Sequence, residues 1–173
     1  VAVGLNHLNN FIETFENFSF ERPLGFDKSG RLLFCPIGPV GLITPWNWPL
    51  NQIILKTIAA CLAGCTMVLK PSEIAPLSGL FFVQMLHDAG LPAGVCNLIN
   101  GTGEEVGVHM SSHPELRMIS FTGSTRAGKS ISYNGAESLK RITLELGGKG
   151  ANLIFADADE DAVARGVRTC FSN

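Results

Sequence analysis

The sequence predicts an α/β chain built on a doubly wound parallel sheet with helices on both faces, preceded by an N-terminal helix and a short β ribbon. Two observations carry this. From Val40 onward, short apolar runs alternate with longer segments of helical periodicity, the pattern of strands joined by crossover helices. The runs are apolar throughout rather than alternating, as expected of strands covered on both faces. Composition agrees: 46% hydrophobic and 16% charged residues, with 19 glycines, describe a buried protein with many tight strand–helix turns. At 173 residues the chain is long enough for one domain with a real core.

Each element has its own signal. Leu5, Leu8, Phe11, Ile12 and Phe15 recur at helical spacing and predict a helix over about 4–17. A polar, glycine-containing stretch from Gly25 to Arg31 is flanked by strand-like runs that pair as a ribbon. Residues 1–38 thus form an N-terminal helix and β-ribbon segment and 39–173 the doubly wound domain. In the latter, strands are predicted at 39–44, 66–69, 95–99, 117–121, 141–145 and 151–155. Helices are predicted at 50–64, 77–89, 104–111, 125–138 and 159–171.

Several function classes are excluded. The net charge is −2 and no Lys or Arg run is long enough to follow a nucleic-acid backbone. No stretch approaches the roughly 20 apolar residues of a membrane span, and the start has no signal-peptide layout. The five cysteines, Cys35, Cys61, Cys65, Cys96 and Cys170, form no CxxC pair and suit a reducing, cytoplasmic compartment. Cys61 and Cys65 lie four apart in a helical pattern and read as small core residues. His7, His87, His109 and His113 are scattered without metal spacing, so no metal is expected. The chain opens at Val1 within an apolar pattern, as a piece cut from a longer polypeptide would.

The chemistry-bearing segments fall after predicted strands. Ile43-Thr44-Pro45-Trp46-Asn47-Trp48-Pro49 sets one neutral amide between both tryptophans and two prolines that stiffen the backbone. An amide held rigidly at a strand end can donate to developing negative charge; the plainer alternative is a packed turn. Lys70-Pro71-Ser72-Glu73, Gly101-Thr102-Gly103, Phe121-Thr122-Gly123-Ser124 and Glu145-Leu146-Gly147-Gly148-Lys149 also follow strands. Ligands of such sheets bind beyond the carboxyl ends of the strands, where these five segments converge. One of them carries a rival reading. Residues 123–130, GSTRAGKS, satisfy the phosphate-loop pattern GxxxxGK[ST] between a strand and a helix, and Leu153 to Asp157 mimics the magnesium-holding strand of such NTPases.

Together, ITPWNWP (43–49), GCTMVLKPSE (64–73), FTGS (121–124) and LELGGK (144–149) resemble the aldehyde dehydrogenase superfamily, in its order and approximate spacing, from about Gly4 to Asn173. The resemblance implies a Rossmann-like domain and NAD-dependent oxidation of an aldehyde to a carboxylic acid. A cysteine thiolate attacks the carbonyl, hydride passes to the cofactor, and water hydrolyses the thioester. It makes Asn47 the oxyanion donor and Glu145 the general base. It makes Ile43, Thr44, Trp46, Lys70, Ser72, Glu73, Gly103, Gly123, Ser124 and Leu146 cofactor-binding. Ile43, Thr44 and Trp46 would line the nicotinamide, Lys70 and Glu73 would reach the adenosine ribose, and Ser124 would meet the pyrophosphate. Glu73 favours NAD over NADP, because a carboxylate accepts from ribose hydroxyls and repels a 2′-phosphate.

The resemblance places the nucleophile beyond Asn173, after a helix ending near Cys170, so Cys170 is not promoted to that role. It implies a parent that forms dimers or tetramers and acts on a small-molecule aldehyde, whereas the 173 residues alone would be inactive. A non-catalytic dinucleotide-binding truncation product and the phosphate-loop NTPase stand as the alternatives.

Overall fold

The computed structural model describes residues 1–25 and 27–171. Helix α1, Ala2–Glu16, lies against the rest of the molecule through Gly4, where an added Cβ would sit 2.9 Å from Ile54 Cδ1. Leu8 joins the core beside it, but Leu5, Ile12 and Phe15 of its apolar side remain at least 41% exposed. Strands β1, Glu21–Leu24, and β2, Asp27–Leu33, pair antiparallel, with Glu21 opposite Leu33. The expected ribbon is present, but most of the Gly25–Arg31 stretch belongs to β2 itself rather than to a loop. Position 26 of that stretch lies outside the described residues. Phe18 stacks edge-on against Phe20 and Phe34 at ring separations of 4.9 and 5.1 Å, and Arg22 lies over Phe18 and Phe34.

Five strands form the main sheet: β3 (Val40–Ile43), β4 (Met67–Lys70), β5 (Cys96–Leu98), β6 (Met118–Gly123) and β7 (Arg141–Leu146). All pair in parallel, in the order β5-β4-β3-β6-β7. Helices α2 (Pro49–Leu62) and α3 (Pro76–Asp88) carry the chain from β3 outward to β4 and β5. A π-helical turn, Gly103–Gly107, runs into α4 (Val108–Ser112), which returns the chain to β6 beside β3; α5 (Thr125–Ala136) then leads to β7. The winding reverses between β3 and β6, which defines the topological switch point.

Helices α2 and α3 stop where glycine lets them. After α2, Gly64 takes φ +75°, donates to Cys61 O, and Cys65 N–H donates back to Ala60 O. Gly90, at φ +90°, and Leu91 repeat the arrangement after α3. Cys65 therefore leaves the helix instead of sharing a face with Cys61, which corrects the sequence expectation, although it is buried as expected.

The core divides into two, one on each face of the sheet. Val40, Leu42, Met67 and Leu69 pack with Ile53, Ile54 and Phe82 beneath α2 and α3. Ile43, Ile119 and Phe121 pack with Met110 and Ile131 beneath α4 and α5. Residues 151–155, expected as a strand, form none. Among the described residues no strand pairs beyond β7, and Leu153 and Phe155 are 75% and 73% exposed, so the run lacks a ladder partner. Helix α6, Ala162–Phe171, starts later than expected because Asp159 first closes a turn, accepting from Asp161 and Ala162 N–H groups.

Candidate catalytic cleft

With all five strands parallel, the segments following them emerge at one edge of the sheet. A cleft of about 1020 Å³ opens there and runs back along the sheet between α2 and the uncovered face of β6 and β7. It takes in Trp46, Asn47, Gly123, Ser124, Glu145 and Leu146 of the sequence-derived set. Its floor is polar where core would be expected. Ser120 and Thr122 alternate on β6 with the buried Ile119 and Phe121, and Thr143 and Glu145 stand beside them on β7. The register sets Ser120 against Thr143 and Thr122 against Glu145.

Asn47 sits exposed in the loop after β3, so the loop does not tuck it into the core. Its Oδ1 accepts the Trp48 N–H at 3.1 Å, which turns the amide so that Nδ2 is left to donate. Glu145 lines the same cleft, exposed near the end of β7. Helix α2 contributes Lys56 to the cleft as well, and its Nζ donates to Ser120 Oγ at 2.9 Å. Burial lowers the Lys56 ammonium's pKa, and the Glu145 carboxylate partly restores it. Thr122 Oγ1 is enclosed without a hydrogen-bond partner, as is Thr44 Oγ1, whose residue is 2% exposed.

The remaining predicted residues occupy the strand ends farther along the sheet. Lys70 is 3% exposed, not a solvated ammonium; its Nζ donates to Pro71 O at 3.2 Å and lies 3.6 Å from Glu73 Oε2. Ser72 Oγ accepts from Ile74 N–H within the same turn. Ile43 points its side chain into the core under α4 and α5, so toward the cleft edge it can offer only backbone. Gly103 opens the π-helical turn after β5, capped by Thr102, whose Oγ1 accepts from Glu105 N–H. Ser124 caps α5, its Oγ accepting from Ala127 N–H at 3.2 Å, so its hydroxyl proton is still available to a ligand.

The phosphate-loop pattern serves another purpose here. Helix α5 begins at Thr125, so residues 125–127, which a phosphate loop needs as open backbone around the phosphate, are already helical. Gly128 packs closely against β7: an added Cβ would meet Leu146 Cδ2 at 2.7 Å, and that side chain would have to shift. Cys170 lies on α6, where its sulfur accepts from Asn152 Nδ2 at 3.8 Å, and it does not line the cleft. Among the described residues no group of three or more metal-ligating side chains converges, and no helix is long and apolar enough to cross a membrane.

The residues that the sequence reading missed are Lys56, Ser120, Thr122 and Thr143. A signal existed in hindsight: a lysine follows directly on the run Ile53-Ile54-Leu55, and polar side chains recur at every second position of two adjacent strands, Ser120 and Thr122 on one and Thr143 and Glu145 on the other.

The family model for the aldehyde dehydrogenase family matches residues 4–173. The chain belongs to that family. A 3-succinoylsemialdehyde-pyridine dehydrogenase from a Pseudomonas species is 51% identical over 171 residues, covering 98% of this chain and 35% of its own length. A crystal structure of an aldehyde dehydrogenase from Bartonella henselae superposes with a TM-score of 0.96 at 61% identity, over 98% of this chain and 36% of that one. A Pseudomonas syringae aldehyde dehydrogenase C variant in complex with NAD+ and octanal gives 0.95 at 48% identity, over 99% and 35%. The chain thus spans about a third of the length of the relatives it matches. The sheet and its flanking helices are those of the family's Rossmann-like domain.

Proposed function

We propose that this chain supplies the cofactor-binding portion and two catalytic groups of an NAD-dependent aldehyde dehydrogenase. The observation that carries the reading is the convergence of Asn47 and Glu145 on one cleft at the switch point of a parallel sheet. The first is an amide whose oxygen is engaged and whose nitrogen is left to donate. The second is a carboxylate open to water. In this reading Asn47 Nδ2 donates to the oxyanion formed when a thiolate adds to the aldehyde carbonyl. Glu145 then takes a proton from the water that hydrolyses the thioester.

The residues present fit a dinucleotide. Ser124 and the first turn of α5 present donors suited to a pyrophosphate, and the enclosed hydroxyls of Thr44 and Thr122 lack partners. Glu73, at the turn after β4, would accept from the ribose hydroxyls and so favour NAD, with Lys70 held beside it. The nicotinamide of NAD held by these residues would supply the hydride acceptor that oxidation of the thiolate adduct requires. Solved relatives bound to NAD+ at 38% to 48% identity support the choice. Trp46, exposed at the cleft edge, offers an apolar wall to the nicotinamide side. The thiolate is not one of the cleft cysteines. Cys35 and Cys65 precede β3 and β4 and lie at the amino ends of the strands, away from Asn47. An oligomeric parent fits the exposed apolar side chains of the ribbon, Leu24 and Leu33 among them.

Separate calorimetric titrations with NAD and with ATP–magnesium test the reading. NAD should bind, and Glu73→Gln should weaken it. Preferential binding of ATP–magnesium, abolished by Lys129→Ala, would overturn it in favour of an NTPase.

A further inference from the structure

Lys56 is the least expected group in the cleft. It is half-buried on α2, and among the described residues it makes no ion pair, although Glu145 lines the same cavity and is felt electrostatically. Its ammonium instead donates to the hydroxyl of Ser120, at 2.9 Å. Ser120 is two residues from Thr122, and Thr122 is the register partner of Glu145, so hydroxyl and carboxylate lie on the same face of adjacent strands. The flexible lysine stem can serve either. The other titratable groups lining the cleft are Cys35, before β3, and Cys65, before β4; Asn47, Gln52 and Thr143 are its neutral polar neighbours.

We propose that Ser120 is a positioning residue, whose hydroxyl anchors the Lys56 ammonium on β6 and so holds it off the Glu145 carboxylate, leaving the carboxylate free to take a proton from water. The inference rests on Glu145 acting as base. An ammonium closed onto that carboxylate would favour its ionised, less basic form and occupy the lone pairs that water needs. Ser120 prevents this by giving the ammonium a neutral acceptor.

The test uses Ser120→Ala and Ser120→Thr in the active enzyme that carries this segment, with two readouts. Titration of the Lys56 ε-carbon resonance by NMR reports where the ammonium sits. The pH profile of thioester hydrolysis reports the base. In Ser120→Ala the Lys56 titration should move to higher pH, because the ammonium gains a carboxylate partner. The acid limb of hydrolysis should move to lower pH by about one unit, with a lower plateau. Ser120→Thr, which keeps the hydroxyl, should restore both. A Lys56 titration that stays in place or falls in Ser120→Ala overturns the proposal, as does an unmoved acid limb. Failure of the underlying reading looks different: Glu145→Gln would then hydrolyse the thioester at the wild-type rate, whatever the lysine titration shows.

Discussion

The face of the sheet beneath α2 and α3 falls into two halves that share strand direction but not cover. Over β3 and β4 the helices seal Val40, Leu42, Met67 and Leu69 to 3% exposure or less. Over β6 and β7 the same face is open, and Ser120, Thr122, Thr143 and Glu145 stand in the positions that apolar side chains would otherwise take. Topology produces the difference. Right-handed crossovers place helices on one face while the chain winds from β3 toward β5, and on the opposite face once the winding reverses toward β7. The reversal therefore strips the cover from half of each face. The cleft follows from the order in which the strands are laid down, and Lys56 stands at its boundary, on the last helix before the open half.

This contrast can be broken from either side. In the open half, Glu145→Gln in the active enzyme should leave cofactor binding intact and slow thioester hydrolysis by about 100- to 10,000-fold, because an amide takes no proton from water. A rapid-quench measurement of acyl-enzyme decay checks it; unchanged decay removes Glu145 from the role. Asn47→Ala should cost about 100- to 1000-fold in the acylation rate, measured by stopped flow, with NAD affinity unchanged. In the covered half, Leu69→Ala should leave the cleft chemistry in place and cost about 2–5 kcal/mol of stability in a denaturant titration. Ser124→Ala, at the edge of the open half, should cost about 1 kcal/mol through loss of the α5 cap, together with weaker NAD binding. The smallest effect concerns thiols. Burial pushes Cys96, on β5, up to about 11, with Cys61 adding to the shift. Since only the thiolate alkylates, Cys96 should resist iodoacetamide until the pH nears that value, whereas the exposed Cys35 and Cys170 react before it. Mass-mapped labelling that finds Cys96 modified first would show that the covered half opens.

Much of this was legible in the sequence because it depends on periodicity and punctuation. Apolar runs and glycine stops give the alternation of strands and helices, and a parallel sheet then forces the segments after each strand to one edge. Trp46, Asn47, Glu145 and Ser124 could therefore be grouped without coordinates. Lys56 could not, since a single charge in an apolar helix reads as a solvated face until the neighbouring strand is known. Ser120 and Thr122 were hidden for a related reason: within a short strand, two hydroxyls among Ile119 and Phe121 do not say which face is left bare. Residues 151–155 misled in the other direction. Leu153-Ile154-Phe155 has strand composition, but a strand needs a backbone neighbour, and composition does not supply one. The GSTRAGKS match failed because a pattern of residue types says nothing about where the helix begins.

Strand β6 works like a reading frame of period two. Its odd positions, Ile119 and Phe121, fill a core, and its even ones, Ser120 and Thr122, furnish the cleft. Inserting or deleting one residue at the start of the strand, before Ile119, would exchange the two sets, putting hydroxyls under α5 and aromatic bulk beside Glu145. Descendants of this sequence should therefore tolerate substitutions along β6 far better than changes in its length, and length variation should collect instead in the turns on either side.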